Sequence, residues 1–190
     1  MSDIWFVTGG GRSGKSSYAE SLAFGNRLPR NHGVLYIATA TNMDEEMEKR
    51  IAAHKANRPK DWIVWERYRH LADIEKEFKD DKFGTIILDC VGNMLMGILF
   101  EEIPDPDDFQ SEEFDDVERL SITEIDALCD YAVKYDKRLV FVTNEIGMGI
   151  IPETRYSRYY RDALGRINKH AARVADWAVL MVAGIPVKLK

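Results

Sequence analysis

The chain carries, at residues 9–16, the stretch Gly9-Gly10-Gly11-Arg12-Ser13-Gly14-Lys15-Ser16. It fits the pattern G-x-x-x-x-G-K-[ST] and closely follows an apolar run, Ile4-Trp5-Phe6-Val7. Where a strand meets a helix, the glycines of this pattern let backbone N–H groups turn inward around a phosphate, and the first turn of the helix adds its own N–H groups. The stretch therefore predicts a phosphate-binding loop (P-loop) in which Lys15 reaches the outer phosphates and the Ser16 hydroxyl holds Mg²⁺.

Length and composition limit the class of protein. The chain has 190 residues, of which 45% are hydrophobic and 31% are charged, values typical of one soluble globular domain. No apolar run approaches the roughly 20 residues that a membrane-spanning helix needs, and the N-terminus shows no signal-peptide pattern. Two cysteines, Cys90 and Cys129, are too few for a disulfide framework. We therefore expect a single cytoplasmic domain over residues 1–190.

Negative charge is concentrated in one segment. Nine acidic residues fall within residues 101–117, where no basic residue occurs, and without them the net charge of −6 becomes +3. With Pro104 and Pro106, this composition predicts an acidic surface insertion at about residues 101–118. The chain has no basic stripe that would follow a nucleic-acid backbone, which disfavours a nucleic-acid partner.

Strand-like and helix-like segments alternate along the chain, which predicts an α/β fold with a mostly parallel sheet flanked by helices. Several of the strand-like segments are apolar throughout, as in strands covered on both faces. Strands are predicted at residues 4–7, 34–38, 62–66, 85–88, 139–143 and 177–182, with a short edge strand in the tail from Gly184 to Lys190. Helices are predicted at residues 16–24, 44–57, 71–78, 93–100, 122–135 and 159–175.

Two segments after predicted strands are candidates for the same site. Asp89 ends the apolar run at residues 85–88, a position that suits the Mg²⁺-linked carboxylate of P-loop enzymes. The alternative role for Asp89 is to cap the next helix or to satisfy a turn. The segment from Thr143 to Pro152 follows another strand, and ligands of open α/β sheets bind beyond the carboxyl ends of strands. We therefore expect this segment on the same rim as the P-loop.

A histidine segment follows the second predicted strand. If Asp44 caps the helix predicted there, Arg50, His54 and Arg58 fall on one side of it, together with Met47 and Ile51. Arginines bind phosphate oxygens, and a neutral imidazole beside them can attack phosphorus. On spacing alone, a packed or surface histidine is the commoner alternative.

Taken together, these segments resemble the adenosylcobinamide kinase/adenosylcobinamide-phosphate guanylyltransferase family of cobalamin biosynthesis. The resemblance covers nearly the whole chain except the acidic segment. A P-loop alone is generic, so the specific matches are the histidine segment, Arg50-Ile51-x-x-His54, and Thr143-Asn144-Glu145-x-Gly147-x-Gly149-x-x-Pro152. Further matches are Tyr36-Ile37-Ala38-Thr39, Asp44-x-Glu46-Met47, Arg58-Pro59, Trp62, Glu66, Asp89-Cys90, Tyr160-Arg161-Asp162-x-x-Gly165-x-x-Asn168 and Gly184-Ile185-Pro186.

The resemblance implies a P-loop fold similar to RecA and adenylate kinase, usually assembled as a homotrimer. It implies an enzyme that phosphorylates adenosylcobinamide with ATP or GTP and then transfers GMP from GTP through a GMP–histidine intermediate, giving adenosylcobinamide-GDP. The guanylylated histidine falls on His54, which joins Lys15 as a predicted catalytic residue; Ser16 and Asp89 are the predicted Mg²⁺ ligands. The nucleotide contacts fall on Gly9, Gly10, Gly11, Arg12, Ser13, Gly14, Lys15, Ser16, Ala38, Thr39, Ala40, Lys55, Ala56, Asn57, Arg58, Glu66 and Asp89.

Other functions stay open at this point. One is a P-loop kinase of another small metabolite, in which His54 is merely structural. Another is a non-catalytic module that uses the nucleotide as a switch. A nucleic-acid ATPase is a weaker third candidate, because the sequence lacks an evident basic groove.

Overall fold

The structure, a computed structural model, describes residues 3–23, 33–40, 59–78 and 83–190. Within these residues the strands are β1 (Asp3–Gly9), β2 (Gly33–Ala38), β3 (Ile63–Glu66), β4 (Phe83–Asp89), β5 (Arg138–Val142), β6 (Trp177–Val182) and β7 (Ile185–Lys188). The helices are α1 (Lys15–Ala23), α2 (Ile74–Phe78), α3 (Val91–Glu102), α4 (Ser111–Lys134) and α5 (Arg155–Val174), with a 3₁₀ turn at Leu71–Asp73. The helix predicted at residues 44–57 lies outside the described residues.

The described strands form one sheet in the order β3-β2-β4-β5-β1-β6-β7. Strands β1 to β6 run parallel to one another, and β7 pairs antiparallel with β6 at the edge. Val7 of β1 is in register with Val142 of β5 and Val179 of β6, so these strands end at a common rim. The predicted α/β fold with a mostly parallel sheet and a short edge strand is confirmed.

Helices cover the two faces of the sheet unequally. On one face α1 packs against β1, β4 and β5, and Ala19 lies in a core with Val7 and Ile87. On the other face α3, α4 and α5 enclose a larger core that contains Phe6 and Leu88. Because β4 and β5 are buried on both faces, each has a continuous apolar run, at residues 86–88 and 139–142, rather than an alternating pattern. None of the described helices is long and apolar enough to cross a membrane.

Side-chain caps explain where two helices begin. α4 starts with a capping box in which the Gln110 backbone N–H donates to the Glu113 carboxylate at 2.6 Å. α5 starts at Thr154, whose Oγ1 accepts the Ser157 N–H at 3.2 Å. Each cap satisfies N–H groups that lack a partner within the helix, which stabilises the helix start at that position. Both helices therefore begin earlier than predicted. α4 begins at Ser111 rather than residue 122, and α5 begins at Arg155 rather than residue 159.

The acidic segment at residues 101–118 has more regular structure than the predicted surface insertion. It comprises the end of α3, a short connection and the first turns of α4. Phe109 and Phe114 of this segment are buried and pack against Tyr156 and Tyr159 of α5, with Phe114 and Tyr159 centroids 4.9 Å apart. The charge density of the segment concealed this apolar face, which anchors it to the large core.

Candidate active site

The P-loop connects the carboxyl end of β1 to the start of α1, as the sequence predicts. The Ser13 N–H donates to the Gly10 carbonyl at 3.3 Å, and the Tyr18 N–H donates to the Gly14 carbonyl at 3.0 Å. Lys15 is the first residue of α1, and its Nζ donates to the Gly10 carbonyl at 2.7 Å. The lysine ammonium thus lies over the backbone that the motif assigns to the phosphates.

The glycines of the P-loop have two different roles. At Gly9, φ is +155°, and an added Cβ would lie 2.6 Å from the Met181 carbonyl oxygen of β6 and 2.7 Å from Ser13 Oγ. Gly14 has φ +93°, a conformation that L side chains rarely adopt. At Gly10 and Gly11 an added Cβ would meet no atom within 4 Å, and both residues are exposed. The loop is therefore closely packed at its ends and open along its middle.

Lys15 combines burial with neighbouring negative charge. Lys15 is only 8% exposed. This burial lowers the pKa of its ammonium group, whereas the charges of Cys90 and Asp89 act to raise that pKa. Asp89 ends β4, so a cation from the P-loop and a carboxylate from another strand interact at the same rim. A lysine and a carboxylate arranged in this way suit a nucleotide whose phosphates carry a divalent cation.

The structure argues against one of the roles considered for Asp89, that of helix cap. The residue that caps α3 is Cys90, whose Sγ accepts the Asn93 N–H at 3.4 Å. The carboxylate of Asp89 instead accepts a 2.5 Å hydrogen bond at Oδ2 from the hydroxyl of Tyr36 in β2. Asp89 is therefore not the helix cap, and its charge acts on Lys15 from the end of β4.

Thr39 has a structural role that the sequence does not predict. It is fully buried, and its Oγ1 donates to the Cys90 carbonyl at 2.8 Å and accepts the Cys90 N–H at 2.7 Å. Its backbone N–H donates to the Asp89 carbonyl at 3.2 Å. The Thr39 hydroxyl, predicted as a nucleotide contact, is thus engaged by the backbone of the Asp89–Cys90 pair. The neighbours Ala38 and Ala40 are half-buried at the same rim.

The loop at residues 144–152 lies beside the P-loop. The Glu145 N–H donates to the Gly9 carbonyl at 3.0 Å, and Asn168 of α5 holds the base of the loop by accepting from Thr143 Oγ1 at 2.7 Å and donating to the Asn144 carbonyl at 3.1 Å. Farther along, Ile150 is 95% exposed, and Met148 and Ile151 are also exposed. Both residues lie in matched motifs, but nothing in the sequence predicts the hydrogen bond between Thr143 and Asn168.

Several predicted site residues come together, and others are outside the described residues. The strand register places Glu66, Ala38 and Asp89 side by side at the ends of β3, β2 and β4, although the P-loop lies closer to Asp89. The following predicted residues lie outside the described part of the chain: His54, Lys55, Ala56, Asn57 and Arg58, together with Asp44, Glu46, Met47, Arg50 and Ile51 of the matched segments.

The donor atoms at the rim suit a magnesium ion. Ser16 supplies a hydroxyl on the first turn of α1 and Asp89 a carboxylate, both hard oxygen ligands. Among the described residues no group of three or more histidine, cysteine, aspartate or glutamate side chains could hold a metal. One hydroxyl and one carboxylate would leave coordination positions for nucleotide phosphates, which is the usual arrangement for Mg²⁺.

Comparisons with known proteins agree with this geometry. A family model described as "Cobinamide kinase / cobinamide phosphate guanyltransferase" matches residues 5–189. "Bifunctional adenosylcobalamin biosynthesis protein CobU" of Escherichia coli (strain K12) is 39% identical over 97% of this chain and 98% of its own length, and the protein of that name from Salmonella typhimurium is 41% identical with the same coverage. "Bifunctional adenosylcobalamin biosynthesis protein CobP" of Pseudomonas aeruginosa is 34% identical over 97% of this chain and 95% of its own length. The chain therefore belongs to the cobinamide kinase / cobinamide phosphate guanyltransferase family.

Proposed function

We propose that this protein is a bifunctional enzyme of adenosylcobalamin biosynthesis. It phosphorylates adenosylcobinamide and then transfers GMP from GTP to the new phosphate, giving adenosylcobinamide-GDP and pyrophosphate. The observation that carries this proposal is the family match over residues 5–189 of a chain whose P-loop presents Lys15 beside Asp89. Both reactions need a nucleoside triphosphate held at this rim.

In the kinase step the hydroxyl of the aminopropanol arm of adenosylcobinamide attacks the γ-phosphorus of ATP or GTP. A new O–P bond forms, the bond from the β–γ bridging oxygen to the γ-phosphorus breaks, and the nucleoside diphosphate leaves as the hydroxyl loses its proton. The contribution of the protein is positioning and charge stabilisation. We assign these roles to the P-loop N–H groups and to Lys15, which lies at the mouth of the loop.

In the guanylyl step we assign the nucleophile to His54. An imidazole nitrogen attacks the α-phosphorus of GTP, an N–P bond forms, and pyrophosphate leaves. The phosphate of adenosylcobinamide phosphate then attacks the same phosphorus and releases the histidine. A covalent intermediate divides one difficult transfer into two easier ones. The remaining nucleotide contacts proposed from the sequence are Lys55, Ala56, Asn57, Arg58 and Glu66.

We propose Mg²⁺ as the metal, with the Ser16 hydroxyl and the Asp89 carboxylate as its protein ligands. When bound, Mg²⁺ neutralises the charge that develops on the phosphates. The support is the donor chemistry of this pair and its position next to Lys15.

We also propose a cytoplasmic homotrimer built from single-domain chains. The support for assembly is the row of exposed apolar side chains near the carboxyl end of the chain, where Ile185 is 65% exposed on the edge strand β7 and Leu189 is 58% exposed. Light scattering after size exclusion tests the trimer: three times the chain mass of 21.8 kDa is expected, and the mass of a single chain would contradict it.

The function is tested by product analysis. Wild-type protein, His54→Ala and a control variant, His170→Gln, are incubated with adenosylcobinamide, Mg²⁺ and GTP, and products are separated by chromatography. His170 is a suitable control because it is bound to Asp126 at 2.6 Å between α4 and α5, away from the rim. We expect wild type and His170→Gln to make adenosylcobinamide-GDP, and His54→Ala to stop at adenosylcobinamide phosphate.

Two results would contradict the proposal. Undiminished GMP transfer by His54→Ala would remove His54 from the reaction. No phosphorylation of adenosylcobinamide by wild-type protein that binds GTP would overturn the kinase function.

A further inference from the structure

A hydroxyl from strand β2 reaches the carboxylate at the active-site rim. Tyr36 is 1% exposed, and its hydroxyl donates to Asp89 Oδ2 at 2.5 Å. We propose that Tyr36 is a positioning residue that holds the Asp89 carboxylate for the nucleotide-bound divalent cation. The inference rests on the proposed function, since it takes Asp89 as a ligand of that cation.

The tyrosine ring is a rigid support for this hydrogen bond. It stacks on Trp62 with ring centroids 6.0 Å apart and lies in a buried cluster with Val34 and Ile87. Its strand, β2, pairs with β3 on one side and β4 on the other. A buried aromatic ring fixed on a strand that is paired on both sides presents its hydroxyl at a defined point, so the hydrogen bond restricts the rotation of the carboxylate it meets.

The backbone of Asp89 is held from the same strand end. The Thr39 N–H donates to the Asp89 carbonyl at 3.2 Å, and the Thr39 hydroxyl engages both the N–H and the carbonyl of Cys90. The backbone is therefore fixed by the residue that follows β2, and the side chain is fixed by Tyr36 within β2. Such two-point support is what a metal-binding carboxylate needs to keep one orientation.

Tyr36 also affects how Asp89 relates to Lys15. The two charges interact, yet each makes its hydrogen bond elsewhere. The Lys15 ammonium donates to the Gly10 carbonyl, and the Asp89 carboxylate accepts from Tyr36. A carboxylate without the Tyr36 hydroxyl would be free to rotate and pair directly with the lysine. By holding Oδ2, the tyrosine keeps the carboxylate and the ammonium as separate groups, with Oδ1 left for the cation.

The test compares cation binding by Tyr36→Phe and wild type. Mn²⁺ is titrated into protein saturated with a non-hydrolysable GTP analogue, and the concentration of free Mn²⁺ is measured from its electron paramagnetic resonance signal. We expect the Mn²⁺ dissociation constant to rise about tenfold in Tyr36→Phe, the scale typical of losing a group that orients a metal ligand. Binding of the analogue without metal should stay within about twofold, because the P-loop is unchanged.

A steady-state measurement separates positioning from general damage. In Tyr36→Phe the Mg²⁺ concentration that gives half-maximal kinase activity should rise by a similar factor, whereas kcat at saturating Mg²⁺ should stay within about twofold of wild type. Tyr160→Phe is the matched control: it removes a tyrosine hydroxyl that donates to the Gly92 carbonyl at 3.2 Å rather than to Asp89. We expect this control to bind Mn²⁺ as wild type does.

A double-mutant cycle keeps the proposal testable if Tyr36→Phe is less stable. In an Asp89→Asn background, Tyr36→Phe should cause no further loss of Mn²⁺ affinity, because the group it orients is already changed. Two results would overturn the inference: an equal loss of Mn²⁺ affinity from Tyr36→Phe in both backgrounds, or Mn²⁺ binding by Tyr36→Phe as tight as in wild type. Neither result would affect the proposed function, which is supported separately by GMP transfer in the wild-type protein. A wild-type protein that forms no Mn²⁺–analogue complex would instead count against Asp89 as a metal ligand in the proposed function.

Discussion

The P-loop and the loop at residues 144–152 leave neighbouring parallel strands, and the Glu145 N–H of one donates to the Gly9 carbonyl of the other. They nevertheless differ at the residues that would bear on a bound phosphate. In the P-loop, Gly9 leaves no room for a Cβ and Lys15 is buried. In the other loop, Gly149 has open space around it and Ile150 is 95% exposed.

This difference indicates two kinds of contribution to one rim. A phosphate group has a fixed shape and charge, so a loop that binds it gains from a fixed backbone with N–H groups already oriented. A loop with exposed apolar side chains has no such requirement on its backbone. Substitutions should therefore have large effects at Gly9 and Lys15 of the P-loop and small ones at the outer part of residues 144–152.

The largest expected effect is that of Lys15→Ala. We expect both kinase and GMP transfer to fall about 10²–10³-fold, because both reactions use the same phosphate-binding loop and lose the same stabilising charge. Lys169→Ala, at an exposed lysine of α5, is the control and should retain both activities. Steady-state rates of the two reactions provide the measurement, and full kinase turnover without Lys15 would refute the assignment.

Gly9→Ala should give the next largest effect. The added methyl would lie 2.6 Å from a backbone oxygen of β6, so the loop must shift, and we expect a loss of about 2–3 kcal/mol in the free energy of unfolding together with weaker GTP binding. The matched change in the neighbouring loop is Gly149→Ala, where nothing lies within 4 Å. Urea unfolding and GTP titration measure both variants; equal losses at the two glycines would contradict the comparison.

Asn168→Ala should have an intermediate effect. It removes the amide that bonds Thr143 Oγ1 and the Asn144 carbonyl, and leaves a buried hydroxyl without its partner, which we expect to cost about 1–2 kcal/mol of unfolding free energy. Thr143→Val in the same background should then add little. A fully wild-type unfolding midpoint for Asn168→Ala would show that the base of the loop does not depend on this bond.

The smallest effect is expected for Ile150→Ser. Because the side chain is almost fully exposed, its replacement should change the free energy of unfolding by no more than about 0.5 kcal/mol and leave GTP affinity unchanged. The buried counterpart Val142→Ser, at the end of β5, should be clearly destabilising. A large loss of stability in Ile150→Ser would mean that the outer loop is packed rather than exposed.

The fold was largely predictable because its signals are local. Apolar runs such as residues 85–88 are strands buried on both faces, and the glycines around Lys15 can be read directly as a strand-to-helix turn. The extent of α4 was not predictable, since Phe109 and Phe114 lie among acidic residues and only their packing against α5 explains the early start. Such contacts join residues far apart in sequence.

For the candidate site, residue types were easier to predict than their connections. Lys15, Ser16 and Asp89 are predicted as site residues from the P-loop motif and from position after a strand. The sequence offers no reason to join Tyr36 to Asp89, or Thr39 to Cys90, because each bond crosses between strands that are more than fifty residues apart. The assignment of His54 to GMP transfer stays a prediction from the sequence.

The most direct test of the account is covalent labelling. Purified protein is incubated with Mg²⁺ and α-³²P-GTP and then separated by denaturing electrophoresis, with and without acid treatment. The account predicts a label that acid removes and alkali does not, as expected for a phosphorus–nitrogen bond to histidine, and that is missing in His54→Ala. Absence of label in wild-type protein that binds GTP, or an equal label in His54→Ala, would contradict it.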